Sequence, residues 1–99
     1  MEAKARLDAG EGILVDVRTD TERIEDGAVN NSQSIDYRSG NFEEKLNRLD
    51  KKKCYIIHCH GGGRSSQTVA LMRELGFSDV HNLKGGIERW KKEGLPVEK

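Results

Sequence analysis

An α/β fold is what the chain predicts: a central parallel sheet joined by right-handed crossovers, with helices on both faces. Two continuous apolar runs, Ile13 to Val17 and Cys54 to His58, lack the alternation of a half-exposed strand and read as buried central strands. Between and after them lie stretches with helical spacing, bounded by capping residues or glycine. The 99 residues suffice for one domain, residues 1–99, and for no second folded unit.

The elements follow in order. Glu2 to Ala9 is rich in helix formers and stops at Gly10, and Ile13 then opens the first strand. Thr19 and Glu22 stand three apart, the spacing of a capping box at the head of a short helix. Gly27 to Ser34 is polar and should be a loop leading into a brief strand around Ile35. Asn41 is placed to cap a helix whose Phe42, Leu46 and Leu49 share a face, with Lys51, Lys52 and Lys53 in a solvated turn beyond it. After the second apolar run, a helix is expected from Arg64 or Ser65 to Leu75, with Thr68, Leu71, Met72 and Leu75 on one face and Gly76 as a left-handed stop. Asp79 to Leu83 is a third strand candidate. Gly85 and Gly86 open a last helix through Trp90 to Glu93, closed by Gly94 with Pro96 beyond.

Charge and composition narrow the function. Seventeen basic and seventeen acidic residues cancel, which leaves no general attraction to nucleic acid or to an anionic membrane. The apolar runs fall far short of the roughly 20 residues of a membrane helix. No basic start followed by an apolar stretch opens the chain, so the cytoplasm is the expected location, or the periplasm if a signal peptide has been removed. A monomer is expected. Cys54 and Cys59 lie on one strand, roughly 16 Å apart at about 3.3 Å per residue, too far for a disulfide.

The informative stretch is Cys59-His60-Gly61-Gly62-Gly63-Arg64-Ser65-Ser66, set between a buried strand and the first turn of a helix. In open parallel sheets ligands bind beyond the carboxyl ends of the strands, which is where this segment must lie. Three successive glycines allow several backbone N–H groups to turn toward one point, and the helix N-terminus adds partial positive charge. Such a cradle suits an anion. The sulfur of Cys59 is expected at its rim, with its thiolate favoured and its pKa below the ordinary value of about 8.5. Arg64 closes the loop with a fixed charge and several donors. A cradled thiolate attacks an electrophile and then carries a negative adduct. The six residues from Cys59 through Arg64 enclose less space than the loops that surround a tetrahedral phosphate, and a single sulfur atom fits better.

With these residues in view, the chain resembles the rhodanese, or thiosulfate sulfurtransferase, family along nearly its whole length. The resemblance is carried by Val15-Asp16-Val17-Arg18 followed by Glu22, by the loop Cys59 to Ser66, by Leu83-Lys84-Gly85-Gly86 with Trp90, and by Gly94-Leu95-Pro96-Val97. It implies a three-layer sandwich with four to five parallel strands. It also implies a persulfide on Cys59, formed with the outer sulfur of thiosulfate or a similar small anionic donor and passed to cyanide, a thiol or a protein acceptor. The loop residues His60, Gly61, Gly62, Gly63, Arg64 and Ser65 would hold the persulfide and the donor, with Arg64 and Ser65 binding the anion. No cofactor and no metal are implied. Phosphatase and arsenate-reductase relatives in the family have a loop one residue longer.

Three departures from the family pattern stand out. Gly27-Ala28-Val29-Asn30-Asn31-Ser32 replaces the usual Gly-His-Ile-Pro-Gly-Ala loop. His60 stands where many active members carry Arg, and Met1 to Lys4 leave no room for the usual first strand. A catalytically weak binding or sulfur-relay module is therefore the alternative. Cys54 reads as a core thiol with no role, His81 as a residue on the sheet's margin, and Asp16 with Arg18 as a structural pair under the loops. A zinc set of His58, Cys59, His60 and His81 is disfavoured, because neighbours on a strand point to opposite faces.

Overall fold

The computed structural model describes residues 10, 12–29, 32–60, 63–83, 85–95 and 97. Their elements are β1 (Ile13–Asp16), α1 (Asp20–Asp26), β2 (Gln33–Ser34), α2 (Phe42–Asn47), β3 (Cys54–His58), α3 (Gly63–Glu74), β4 (Asp79–Asn82) and α4 (Gly86–Lys92). The four strands form one parallel sheet in the order β2-β1-β3-β4. The helix expected over Glu2 to Ala9 lies outside the described residues.

Side-chain alternation along the strands sorts the core into two layers. Val15, Val17, Tyr55, Ile57, Cys59 and Val80 meet Phe42 and Leu46 of α2 and Val69 and Met72 of α3. On the other face, Leu14, Ile56 and Leu83 meet Ile87 and Trp90 of α4. Both faces are thus covered, as two uninterrupted apolar runs require. No helix among the described residues is long and apolar enough to cross a membrane.

Local signals mostly hold. Thr19 and Glu22 form the capping box of α1, with the Glu22 amide donating to Thr19 Oγ1 at 3.2 Å and the Thr19 amide donating to Glu22 Oε1 at 3.2 Å. Gly76, at φ 99°, ends α3, and the Phe77 amide donates back to the Met72 carbonyl at 3.0 Å. Three expectations shift. Asn41 makes no side-chain cap; α2 is entered through its backbone carbonyl, which accepts from the Lys45 amide at 3.0 Å. The brief strand is Gln33–Ser34, and Ile35 follows it as a buried core residue whose amide donates to the Asp16 carbonyl at 3.0 Å. Finally, α3 starts at Gly63, so this glycine is the first residue of the helix and not the last of the loop.

The register aligns Asp16 with His58, so β1 and β3 end at the same level. Cys59 follows directly at the carboxyl end of β3, the position that ligands favour in open α/β sheets.

Candidate active site

Cys59 continues the alternation of Tyr55 and Ile57, which points its side chain to the face covered by α3. Only 1% of it is exposed. This corrects the expectation of a sulfur at the rim: the alternation that makes β3 a buried strand also carries its next residue into the core. Cys54 and Cys59 are both thiols.

Ser65, in the first turn of α3, is also fully buried, and its Oγ lies 3.5 Å from Cys59 Sγ. Its hydroxyl donates to Asn82 Oδ1 at 2.6 Å, and a serine has one proton to give, so the thiol donates to Ser65 when it is protonated. Ser65 therefore backs the sulfur and does not stand on an exposed, donor-facing rim. Asn82 was missed by sequence reasoning. Its signal is its position at the end of β4, level with the end of β3 and near Cys59.

Arg64 is placed differently from expectation. Its Nη1 and Nη2 donate to the two carboxylate oxygens of Glu22 at 2.6 and 2.7 Å, a bidentate pair joining α3 to α1. The hydrogen bonds from Arg64 hold the Glu22 carboxyl down to about 2 and raise the Arg64 guanidinium above its ordinary value. Much of the positive charge assigned to a donor anion is thus already matched. Glu22 serves both this pair and the capping box, and the second role is the one that the sequence spacing announces.

His60 is half exposed, with Nδ1 3.7 Å from Asp26 Oδ2 and Nε2 3.6 Å from Glu88 Oε1. A positive charge at position 60 would meet these carboxylates first. Gly61 and Gly62 lie outside the described residues, and the inward-facing amides expected of them remain an expectation.

Gly86 holds the far wall. Its φ is +55°, and a Cβ built there would stand 2.2 Å from the Cys59 carbonyl oxygen and 2.5 Å from that of His60. The close approach lets the Ile87 amide donate to the Cys59 carbonyl at 2.9 Å. Gly86→Ala is therefore expected to force α4 away from the loop and to cost about 2 to 4 kcal/mol in a urea melt.

Beneath the loops sits a buried ionic cluster. Arg18, fully buried, donates through Nε and Nη2 to Asp16, at 3.0 and 2.8 Å for the shortest contacts, and through Nη2 to the Gly27 carbonyl at 2.8 Å. Arg23 Nη1 reaches Asp16 Oδ2 at 2.8 Å. Burial pushes the Asp16 carboxyl up, but hydrogen bonds from Arg18 and the nearby positive charge outweigh it and leave the carboxyl below its ordinary value. The expected structural pair is thus part of a larger network, to which Arg18 Nη1 adds Asp26 at 3.3 Å.

His58 points into the opposite layer from Cys59. It is fully buried, and neither ring nitrogen has a hydrogen-bond partner among the described residues. Burial pushes its pKa from the ordinary 6.5 down to about 4, against the pull of Asp16, whose Oδ2 is 3.7 Å from Nε2. The folded ring refuses a proton that the unfolded chain accepts. Stability should therefore be full above pH 6.5 and decline as the pH falls toward 4, by up to about 3 kcal/mol. Urea melts across that range measure the loss, and His58→Leu should flatten it.

Known proteins resemble this chain in sequence and in fold. A family model described as the rhodanese-like domain matches residues 1–93. YtwF of Bacillus subtilis, provisionally named a sulfurtransferase, is 36% identical over 94 residues, covering 94% of this chain and 87% of YtwF. A sulfurtransferase of Allochromatium vinosum is 31% identical over 90 residues, covering 91% of this chain and 81% of that one. Among solved structures, a rhodanese-related protein of Thermoplasma volcanium superimposes with a TM-score of 0.82 at 32% identity, covering 96% of this chain and 91% of its own.

Proposed function

Because the chain belongs to the rhodanese-like domain family, we propose that it is a sulfurtransferase that carries a sulfane sulfur on Cys59. The Cys59 thiolate attacks the outer sulfur of thiosulfate or a similar donor. The bond between the two donor sulfurs breaks, sulfite leaves with the electron pair, and a persulfide remains. Cyanide, a thiol or a protein thiolate then attacks the outer sulfur and regenerates the thiolate. The observation that carries this reading is the position of Cys59 at the carboxyl end of central strand β3, hydrogen-bonded to Ser65 and backed by the first turn of α4.

The chain's own residues have separable roles in this reaction. Ser65 takes the thiol proton's hydrogen bond and, once the sulfur is ionised, can turn its own proton from Asn82 toward the thiolate. The Glu22 pair fixes Arg64 at the start of α3, so that its remaining N–H donors keep one orientation. With Cys59 only 1% exposed, access to the sulfur governs the rate of uptake.

Incubation with thiosulfate should add one sulfur atom to the intact mass, which peptide mapping places on Cys59 and cyanide removes as thiocyanate. An unchanged mass with thiosulfate and with persulfide donors would overturn the reading. The burial of Cys59 and the pairing of Arg64 favour a second reading, a sulfur-relay or binding module with little turnover. A persulfide that forms but does not pass to cyanide or small thiols would select it.

A further inference from the structure

At the amino ends of β3 and β4, the opposite end of the sheet from Cys59, a second group of reactive side chains converges. The register pairs Cys54 with Asp79 and Ile56 with His81. With a side-chain period of two, Cys54, Asp79 and His81 all project from the same face. The Cys54 sulfur, an Asp79 carboxylate oxygen and a His81 ring nitrogen all lie within 4.8 Å of one another. His81 Nε2 is already 2.5 Å from Asp79 Oδ1.

We propose that Cys54, Asp79 and His81 form a binding site for a divalent transition metal of the zinc class. The donor set decides the class of ion. Thiolate and imidazole are the ligands of zinc and its borderline-soft neighbours, whereas magnesium and calcium take oxygen alone. A single cysteine rules out an iron–sulfur cluster. The geometry is close to what the ion needs, since bonds of about 2.0 to 2.3 Å in a tetrahedron place ligand atoms roughly 3.3 to 3.8 Å apart. Opening the 2.5 Å contact between His81 and Asp79 by about an ångström and bringing the Cys54 sulfur to the same spacing takes side-chain torsion alone, because paired strands already fix the Cα positions.

Surroundings and protonation fit the same reading. Cys54 and Asp79 are half-buried and His81 is exposed, which leaves a path for entry and room for water as the fourth ligand. Gly12 borders the thiol without a side chain: a Cβ there would lie 3.8 Å from Cys54 Sγ. On binding, the ion replaces the thiol proton and the hydrogen bond between His81 and Asp79, so loading releases protons and weakens as the pH falls. The metal would tie β4, the last strand of the sheet among the described residues, to β3. The sequence led to no role for Cys54 and no metal, because Cys54 stands 25 residues before Asp79 and matches no common ligand spacing.

Cobalt(II) titration of the untagged, reduced chain tests the site. A one-to-one complex should show a thiolate-to-cobalt charge-transfer band with strong tetrahedral ligand-field bands, and zinc should displace it. Cys59→Ser should leave these bands intact, and Cys54→Ser should remove the charge-transfer band. Asp79→Asn and His81→Ala should each weaken binding by at least about tenfold. Zinc should also protect Cys54 of the wild-type chain from alkylation, as read by peptide mapping, which needs no variant to fold. Absence of the charge-transfer band, its loss in Cys59→Ser, or Cys54 alkylation unchanged by zinc would each overturn the proposal. The first test of function reads sulfur on Cys59 and this one reads metal at Cys54, so either can fail alone.

Discussion

Cys59→Ser should yield a folded protein whose intact mass does not change after incubation with thiosulfate. An alcohol oxygen is far less acidic and less polarisable than a thiol, and it forms no counterpart of the persulfide. The substitution changes little else. Serine is slightly smaller than cysteine, and its hydroxyl would face Ser65 Oγ, the atom that now lies 3.5 Å from the sulfur. The new hydroxyl enters a largely apolar cluster, so a loss of about 1 to 2 kcal/mol is expected in a urea melt. Loss of uptake with a retained cooperative transition would assign the chemistry to the sulfur. Uptake retained in the variant would move it to Cys54.

The largest effect on stability is expected from Asp16→Ala. Asp16 is fully buried and accepts from the backbone N–H, Nε and Nη2 of Arg18 and from Nη1 of Arg23. Removing the carboxylate leaves the Arg18 guanidinium, itself fully buried, with the half-exposed Asp26 as its nearest remaining counter-charge. Breaking a buried pair on one side typically costs about 3 to 5 kcal/mol, a large share of the roughly 5 to 15 kcal/mol that holds a small domain together. The site should suffer with the fold, because Asp16 sits level with His58 at the end of β1. A double substitution that replaces Asp16 and Arg18 with apolar residues of similar volume should recover much of the loss. That recovery separates the penalty of an orphaned charge from any net strength of the pair.

The fold was legible because its signals are local and redundant. The apolar runs through Val15 and Ile57, the capping box of Thr19 and Glu22, and Gly76 as a helix stop each announce themselves within a few residues. The segment Cys59 to Ser66 stands out just as locally, since a cysteine between a buried strand and a glycine-rich turn has few bland explanations. Less legible were the partners of those residues. The spacing of Glu22 describes a cap, and nothing within α1 indicates that its carboxylate also holds Arg64, 42 residues away. Asn82 and Gly86 acquire meaning only when β4 and α4 are packed beside the end of β3.

Sequence alone determined which face each strand residue would choose, because side-chain alternation is a property of the extended backbone. It therefore also determined that Cys59 would share the face of Tyr55 and Ile57. The tertiary structure decided how deep that face lies and which charges meet across it: α3 seals the thiol to 1% exposure, Glu22 takes Arg64, and strand register brings Cys54 to Asp79 and His81. The physical reason is range. Backbone preference and periodicity act over a few residues of chain, whereas burial and ion pairing depend on distances that exist only after the crossovers have closed.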